Sequence, residues 1–194
     1  FLTSTFAFES AAAGKRHFEG ITGKRPGGAD GLVYSRFNGP NQEILEARLG
    51  VWDDAEDALV FSSGMSAIAT LLLAHVSMKD VIVHSGPLYA ATETLIARIL
   101  SRFGATYLDF PAEASREEMD DILDRAKTMA AAQGGKVAMV YLESPANPTN
   151  ALVDVEAMRA AVDAAFAADA RPPIAIDNTF LGPLWSAPLK HGAD

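Results

Sequence analysis

From residue 51 onward, five short strand-like runs (58–61, 81–84, 106–110, 137–142 and 174–176) alternate with longer helical patterns at 65–76, 89–103, 116–132 and 155–168. A strand separated from the next by a helix pairs with it in parallel, because the helix returns the chain to the same end of the sheet. The helix signals agree with this reading. Ser115-Arg116-Glu117-Glu118 is a capping box, and Gly104 stands where a glycine closes a helix. The spacing therefore predicts an α/β fold: a mainly parallel sheet with helices on both faces.

Composition narrows the classes of function. The 194 residues are 49% hydrophobic, enough for a sizeable core, and carry a net charge of -9. That charge disfavours a general nucleic-acid or membrane surface, so any phosphate site must be local. Cysteine is absent, which excludes disulfides, thiolate metal sites and a cysteine nucleophile within these residues and accords with a reducing cytoplasm. The longest mostly apolar stretch, 67–76, contains His75 and is too short to span a bilayer. No basic segment followed by an apolar one marks a secretory signal. Phe1 at the start, and Gly192-Ala193-Asp194 without a terminal turn or helix signal, lead us to expect a chain cut at both ends.

Residues 1–50 differ from the rest. Gly20, Gly23, Pro26, Gly27, Gly28, Gly31, Gly39 and Pro40 punctuate them, with Lys15, Arg16, Lys24, Arg25 and Arg36 interspersed. The segment reads as an irregular arm with a short helix near 42–49, needing another surface to lie on.

Several strand ends carry groups that suit a ligand. Ser62-Ser63-Gly64-Met65-Ser66 leads into a helix, where Gly64 admits close backbone approach and the helix N-terminus favours an anion; a Ser-capped turn is the alternative. Arg36, beside Tyr34, can grip a phosphate bidentately or simply be a solvated loop arginine. Tyr89 offers an aromatic face near a strand end, or core packing at a helix start. In Glu143-Ser144-Pro145-Ala146-Asn147-Pro148, two prolines flank Asn147, as in any Pro-rich connection. Asp177-Asn178-Thr179 ends the last run, where α/β proteins hold ligands. Asp177 can stabilise a protonated pyridine nitrogen, as pyridoxal phosphate (PLP) enzymes require, or cap a helix; Thr179 could pack beneath the same ring. The four histidines lack metal spacing, and neither a GxGxxG nor a P-loop fingerprint is present.

Taken in order and spacing, Tyr34-Ser35-Arg36, Ser62-Ser63-Gly64-Met65-Ser66, Tyr89-Ala90-Ala91-Thr92, Glu143-Ser144-Pro145-Ala146-Asn147-Pro148 and Asp177-Asn178-Thr179 resemble the Cys/Met-metabolism family of PLP enzymes over nearly the whole chain. Its members include cystathionine γ-synthase, cystathionine lyases, methionine γ-lyase and O-acylhomoserine sulfhydrylase. The resemblance implies a fold-type-I large domain at 51–194, preceded by an arm at 1–50 that contacts a neighbouring subunit. It further implies that Gly64 and Met65 offer N–H groups to the PLP phosphate and that Tyr34 and Arg36 reach the phosphate of a neighbour's cofactor. Tyr89 would stack on the pyridine ring and assist proton transfers. Asn147 would bond the ring hydroxyl, Asp177 would pair with the ring nitrogen, and Glu143 would support them.

The family's Schiff-base lysine falls in a Ser-x-Thr-Lys motif soon after Gly-Ala-Asp, so the lysine and the C-terminal small domain are expected beyond Asp194. Phe37-Asn38-Gly39-Pro40-Asn41 replaces the family's Asn-Pro, and Ala91 stands where methionine γ-lyases carry cysteine. The implied function is γ-replacement or elimination in transsulfuration, on O-acylhomoserine or cystathionine-type amino acids. The implied assembly is a dimer at least, and a tetramer by analogy, in the cytoplasm. The rival expectation is a non-catalytic fragment or pseudoenzyme lacking the lysine; a nucleotide-binding α/β domain is the third.

Overall fold

The computed structural model describes residues 1–26, 28 and 31–194; Gly27, counted above among the arm's glycines, lies outside them. Two compact units divide the chain, Phe1–Val60 and Phe61–Asp194.

The first unit is more helical than an irregular arm. Helix α1 (Ala11–Ile21) starts at Ser10, whose side chain accepts from the Ala13 N–H at 3.1 Å. Helix α2 (Pro40–Asp53) is longer than the short helix expected near 42–49; Pro40 opens it, where a missing N–H costs nothing. Thr5 and Tyr34 form an isolated antiparallel bridge, flanked by Phe6 N–H to Val33 O and Ser35 N–H to Ser4 O, both 2.9 Å. The apolar run 58–61, expected as a strand, forms no ladder. Its Val60 N–H is instead taken by the Glu46 carboxylate at 2.9 Å.

In the second unit, four parallel strands form one sheet in the order β2-β1-β3-β4. They are β1 (Val81–Gly86), β2 (Thr106–Pro111), β3 (Val137–Glu143) and β4 (Ile174–Asp177). Strand β3 is central and buried at every position, so it reads as one unbroken apolar run. Helix α3 (Gly64–His75) precedes β1. The pattern at 89–103 is not one α-helix but α4 (Ala90–Thr94), a π turn (Leu95–Ile99) and a 3-10 turn (Leu100–Phe103). Leu95, Ile96 and Leu100 are all buried by this change of pitch. Gly104 then ends the segment at φ 85, a left-handed conformation suited to glycine.

Helices α5 (Arg116–Gln133) and α6 (Val155–Ala165) follow β2 and β3. Ser115 and Glu118 close the predicted capping box at the head of α5. The α5 residues Met119, Ile122, Leu123, Ala126 and Ala130 are buried, the stripe an amphipathic helix lays on a sheet. Two short turns, α7 (Gly182–Trp185) and a 3-10 turn at Pro188–His191, complete the unit.

Strand alternation sorts the core into two clusters, one per face. Val81, Val83, Val140 and Leu142 pack with α5 and α6, whereas Ile82, Met139 and Tyr141 pack with Leu72 of α3 and with Leu95, Ile96 and Leu100. Helices therefore cover both faces, as expected from the sequence.

Candidate functional site

The parallel sheet directs all four strands to one carboxyl rim, and two acidic residues end adjacent strands there. Glu143 and Asp177 are register partners on β3 and β4. Both follow the parity of Met139, Tyr141 and Ala175, which places them on the α3 face of the sheet. A cleft of about 320 Å³ opens above them. Its lining includes Gly64, Met65, Tyr89, Glu143, Asn147, Asp177 and Thr179, all flagged by the sequence.

The cleft floor is built by one carboxylate bonding to two turns. Glu143 accepts the Tyr89 N–H at 2.8 Å through Oε2 and the Asn147 N–H at 2.7 Å through Oε1. Its own N–H is held by Ser85 Oγ at 3.0 Å. Burial pushes the Glu143 carboxyl above its ordinary pKa; the two N–H donors oppose this, and the Asp177 and Glu93 carboxylates add to it.

Asp177 is not a helix cap. Its Oδ1 accepts from both the backbone N–H and the hydroxyl of Thr179, a short Asx turn that fixes the carboxylate at the strand end. Tyr89 is 45% exposed, so its ring belongs to the cleft wall rather than to the core. Its main chain is fixed by Glu143 while the ring is left open. The Asn147 side-chain amide makes no hydrogen bond among the described residues.

On the opposite wall, Ser63 caps α3: its hydroxyl accepts the Ser66 N–H at 3.1 Å, and Ser66 Oγ accepts the Ser63 N–H at 3.1 Å. The capped-turn reading is thus correct for Ser63. The N–H groups of Gly64 and Met65 remain without partners among the described residues, as the first donors of a helix do. A methyl group placed on Gly64 would meet nothing within 4 Å, so the backbone faces open space. The cleft thus combines free backbone donors, an open aromatic face, a free amide and a fixed carboxylate. That donor set fits a phosphorylated, nitrogen-containing aromatic ring.

Tyr34 and Arg36 belong to the first unit. The Arg36 guanidinium lies 5.4 Å from the Tyr34 ring centroid and 5.3 Å from that of Phe37, and pairs with no carboxylate among the described residues. The sequence reading missed Phe180 and Ile68 in the cleft lining, and Tyr141 beneath it. Tyr141 alone had a signal: a hydroxyl in an otherwise apolar strand, two residues before Glu143 and so on the same face. Beside the cleft, a hollow of about 500 Å³ runs along β1 and β2 past His84 and Asp109. It contains none of the flagged residues. Among the described residues, no cluster of acidic and histidine side chains could hold a metal ion, and no helix is long and apolar enough to cross a membrane.

The sequence profile of the Cys/Met metabolism PLP-dependent enzymes matches residues 1–194. The chain belongs to this family. It is 32% identical over 194 residues to an L-methionine gamma-lyase of Fusobacterium nucleatum subsp. polymorphum, covering 99% of this chain and 43% of that protein. An O-succinylhomoserine sulfhydrylase of Pseudomonas aeruginosa is 32% identical over 194 residues, covering 100% of this chain and 42% of the relative. A cystathionine beta-lyase of Staphylococcus haemolyticus is 30% identical over 168 residues, covering 87% of this chain and 39% of the relative. The chain thus spans less than half the length of these curated relatives. Among solved structures, metB of Corynebacterium glutamicum superposes with a TM-score of 0.77 at 24% identity over 100% of this chain and 42% of that one. The metY protein of Campylobacter jejuni, whose structure contains a pyridoxyl-lysine monophosphate, gives 0.80 at 23% identity, again over 100% and 42%. These likenesses bear out the fold-type-I architecture expected for the sheet.

Proposed function

We propose that this chain forms the cofactor-holding part of a PLP-dependent enzyme of sulfur amino-acid metabolism, acting by γ-replacement or elimination on O-acylhomoserine or cystathionine-type substrates. The observation that carries this reading is the convergence of Gly64, Met65, Tyr89, Asn147 and Asp177 on one cleft above Glu143. PLP, when bound, supplies an electron sink for a carbanion at the substrate's α-carbon.

The chain's own residues set the conditions for that chemistry. Gly64 and Met65 donate N–H groups to the phosphate, aided by the positive end of α3. The Asp177 carboxylate keeps the ring nitrogen protonated by direct ion pairing. Tyr89 packs its face on the ring and holds a proton near the reacting atoms. Asn147 bonds the ring hydroxyl. Glu143 touches none of these atoms and acts by fixing the turns that carry Tyr89 and Asn147.

Tyr34 and Arg36 reach the cofactor phosphate of a neighbouring subunit, which makes a dimer the smallest active assembly and suits a tetramer built as a dimer of dimers. The separate compact unit that carries them and the lack of an acidic partner for Arg36 among the described residues support this reading. Kinship with amino-acid-metabolism enzymes supports a cytoplasmic setting and an amino-acid substrate.

The test is to add PLP to the complete gene product, reduce with borohydride and map the peptides. A single lysine adduct that Asp177→Asn diminishes is expected, together with turnover of O-acylhomoserine plus sulfide or of cystathionine. A product without a specific adduct overturns the catalytic reading and leaves a non-catalytic fold.

A further inference from the structure

Tyr141 occupies the central strand β3 and is 1% exposed. Its ring belongs to the cluster on the cleft face, and its neighbours in register are His84 on β1 and Ala175 on β4. Its hydroxyl is buried without a hydrogen-bond partner among the described residues. Phenylalanine would fill the same space without desolvating a polar atom, so the oxygen needs an explanation.

Two polar groups lie near enough to influence it, Thr92 and Asp177, though neither meets it at hydrogen-bond geometry. Thr92 is fully buried, and its hydroxyl points to the Met65 sulfur at 3.7 Å, a weak acceptor. Thr179 occupies Oδ1 of Asp177, while Oδ2 accepts nothing among the described residues. Burial, reinforced by the carboxylates of Asp177 and Glu143, raises the pKa of the phenol and keeps it protonated. The group can therefore donate, and the available anionic acceptor is Asp177.

We propose that Tyr141 is a positioning residue for Asp177: its hydroxyl donates to the carboxylate from within the sheet, orienting it and lowering its basicity, while Thr92 donates to the phenol oxygen. The proposal rests on the reading of the cleft as a PLP site. It gives β3 a role beyond packing, because the strand then helps set how firmly the ring nitrogen holds its proton.

The test compares wild-type, Tyr141→Phe, Thr92→Val and Asp177→Asn proteins. PLP is titrated into each, the visible spectrum of the bound cofactor is followed across pH, and cofactor-free protein is unfolded in urea. Tyr141→Phe is expected to be as stable as wild type or more so, yet to bind PLP about two- to twelvefold more weakly, the range a single net hydrogen bond supplies. The midpoint of its spectral titration moves, Thr92→Val moves it less in the same direction, and Tyr141→Phe adds nothing on an Asp177→Asn background. Wild-type affinity and spectral midpoint in Tyr141→Phe, beside a weakened Asp177→Asn, would overturn the positioning role and leave the cofactor site intact. Lost stability with an unmoved spectrum would overturn it too, by making the hydroxyl purely structural. If Asp177→Asn binds PLP like wild type, the cofactor reading itself fails and takes this proposal with it.

Discussion

Glu143 and Asp177 are register partners on adjacent parallel strands, yet their carboxylates have different partners. Glu143 is bonded to two backbone N–H groups, one from the distant Tyr89 turn and one from Asn147 four residues on, whereas Asp177 is held by Thr179 alone among the described residues.

This pairing makes stability depend on pH in a defined direction. Burial and the neighbouring carboxylates raise the Glu143 pKa in the folded protein. In the window just above the ordinary glutamate value, the folded state therefore holds more protons than the unfolded one. Stability from this group is present below that window and is lost as pH rises through it. Urea unfolding of wild type and Glu143→Gln between about pH 4 and about pH 7 checks this: the advantage of wild type over the variant should shrink with rising pH. A difference that grows would refute it.

Asp177→Asn keeps an oxygen for the Thr179 turn and removes only the charge. The cofactor-free fold should change little, within about 0.5 kcal/mol in urea unfolding. PLP affinity should fall by at least about tenfold, the equivalent of 1.4 kcal/mol, when measured by absorbance titration.

Ser63→Ala removes the α3 cap while leaving Gly64 and Met65 in place. A loss of about 0.5–2 kcal/mol in thermal unfolding is expected. Inorganic phosphate should protect wild type more than the variant, because the frayed helix presents its N–H groups less steadily.

Leu123→Ala, on the face covered by α5 and α6, should cost about 2–5 kcal/mol in urea unfolding. PLP affinity at temperatures where the protein stays folded should match wild type. A changed affinity would mean that packing on that face reaches the cleft.

The strands from β1 to β4 were legible because each is a short strand-like run between helix signals, and β3 is buried along its whole length. Glu143 and Asp177 were legible for the same reason: a charge that ends such a run lands on the rim. Other features depended on contacts that one sequence does not display. Helix α1 was hidden by Gly14 and Gly20, both buried within it; at Gly14 a Cβ would come within 3.0 Å of the Phe8 ring. The run at 58–61 is as apolar as a strand but finds no ladder, and Val60 turns to the Glu46 side chain. The break after Thr94 reflects the burial of Leu95, Ile96 and Leu100 against the sheet, which overrode a regular helical period. Asp177 read alone allowed a helix cap, and only the Thr179 turn decides against it.

The two core clusters lie on opposite faces of a sheet one backbone thick, and only one of them underlies the cleft. That gives the fold an insulated side. Residues such as Met119, Leu123, Met158 and Val162 can exchange volume over generations and retune thermal tolerance with no carboxylate or aromatic ring moving on the other side. The face beneath the cleft has no such latitude, since Met139, Tyr141 and Ala175 share a packed cluster with Met65 and Ile68, which line the cleft. Adaptation to a new temperature and adaptation to a new substrate can thus proceed on separate surfaces of the same four strands.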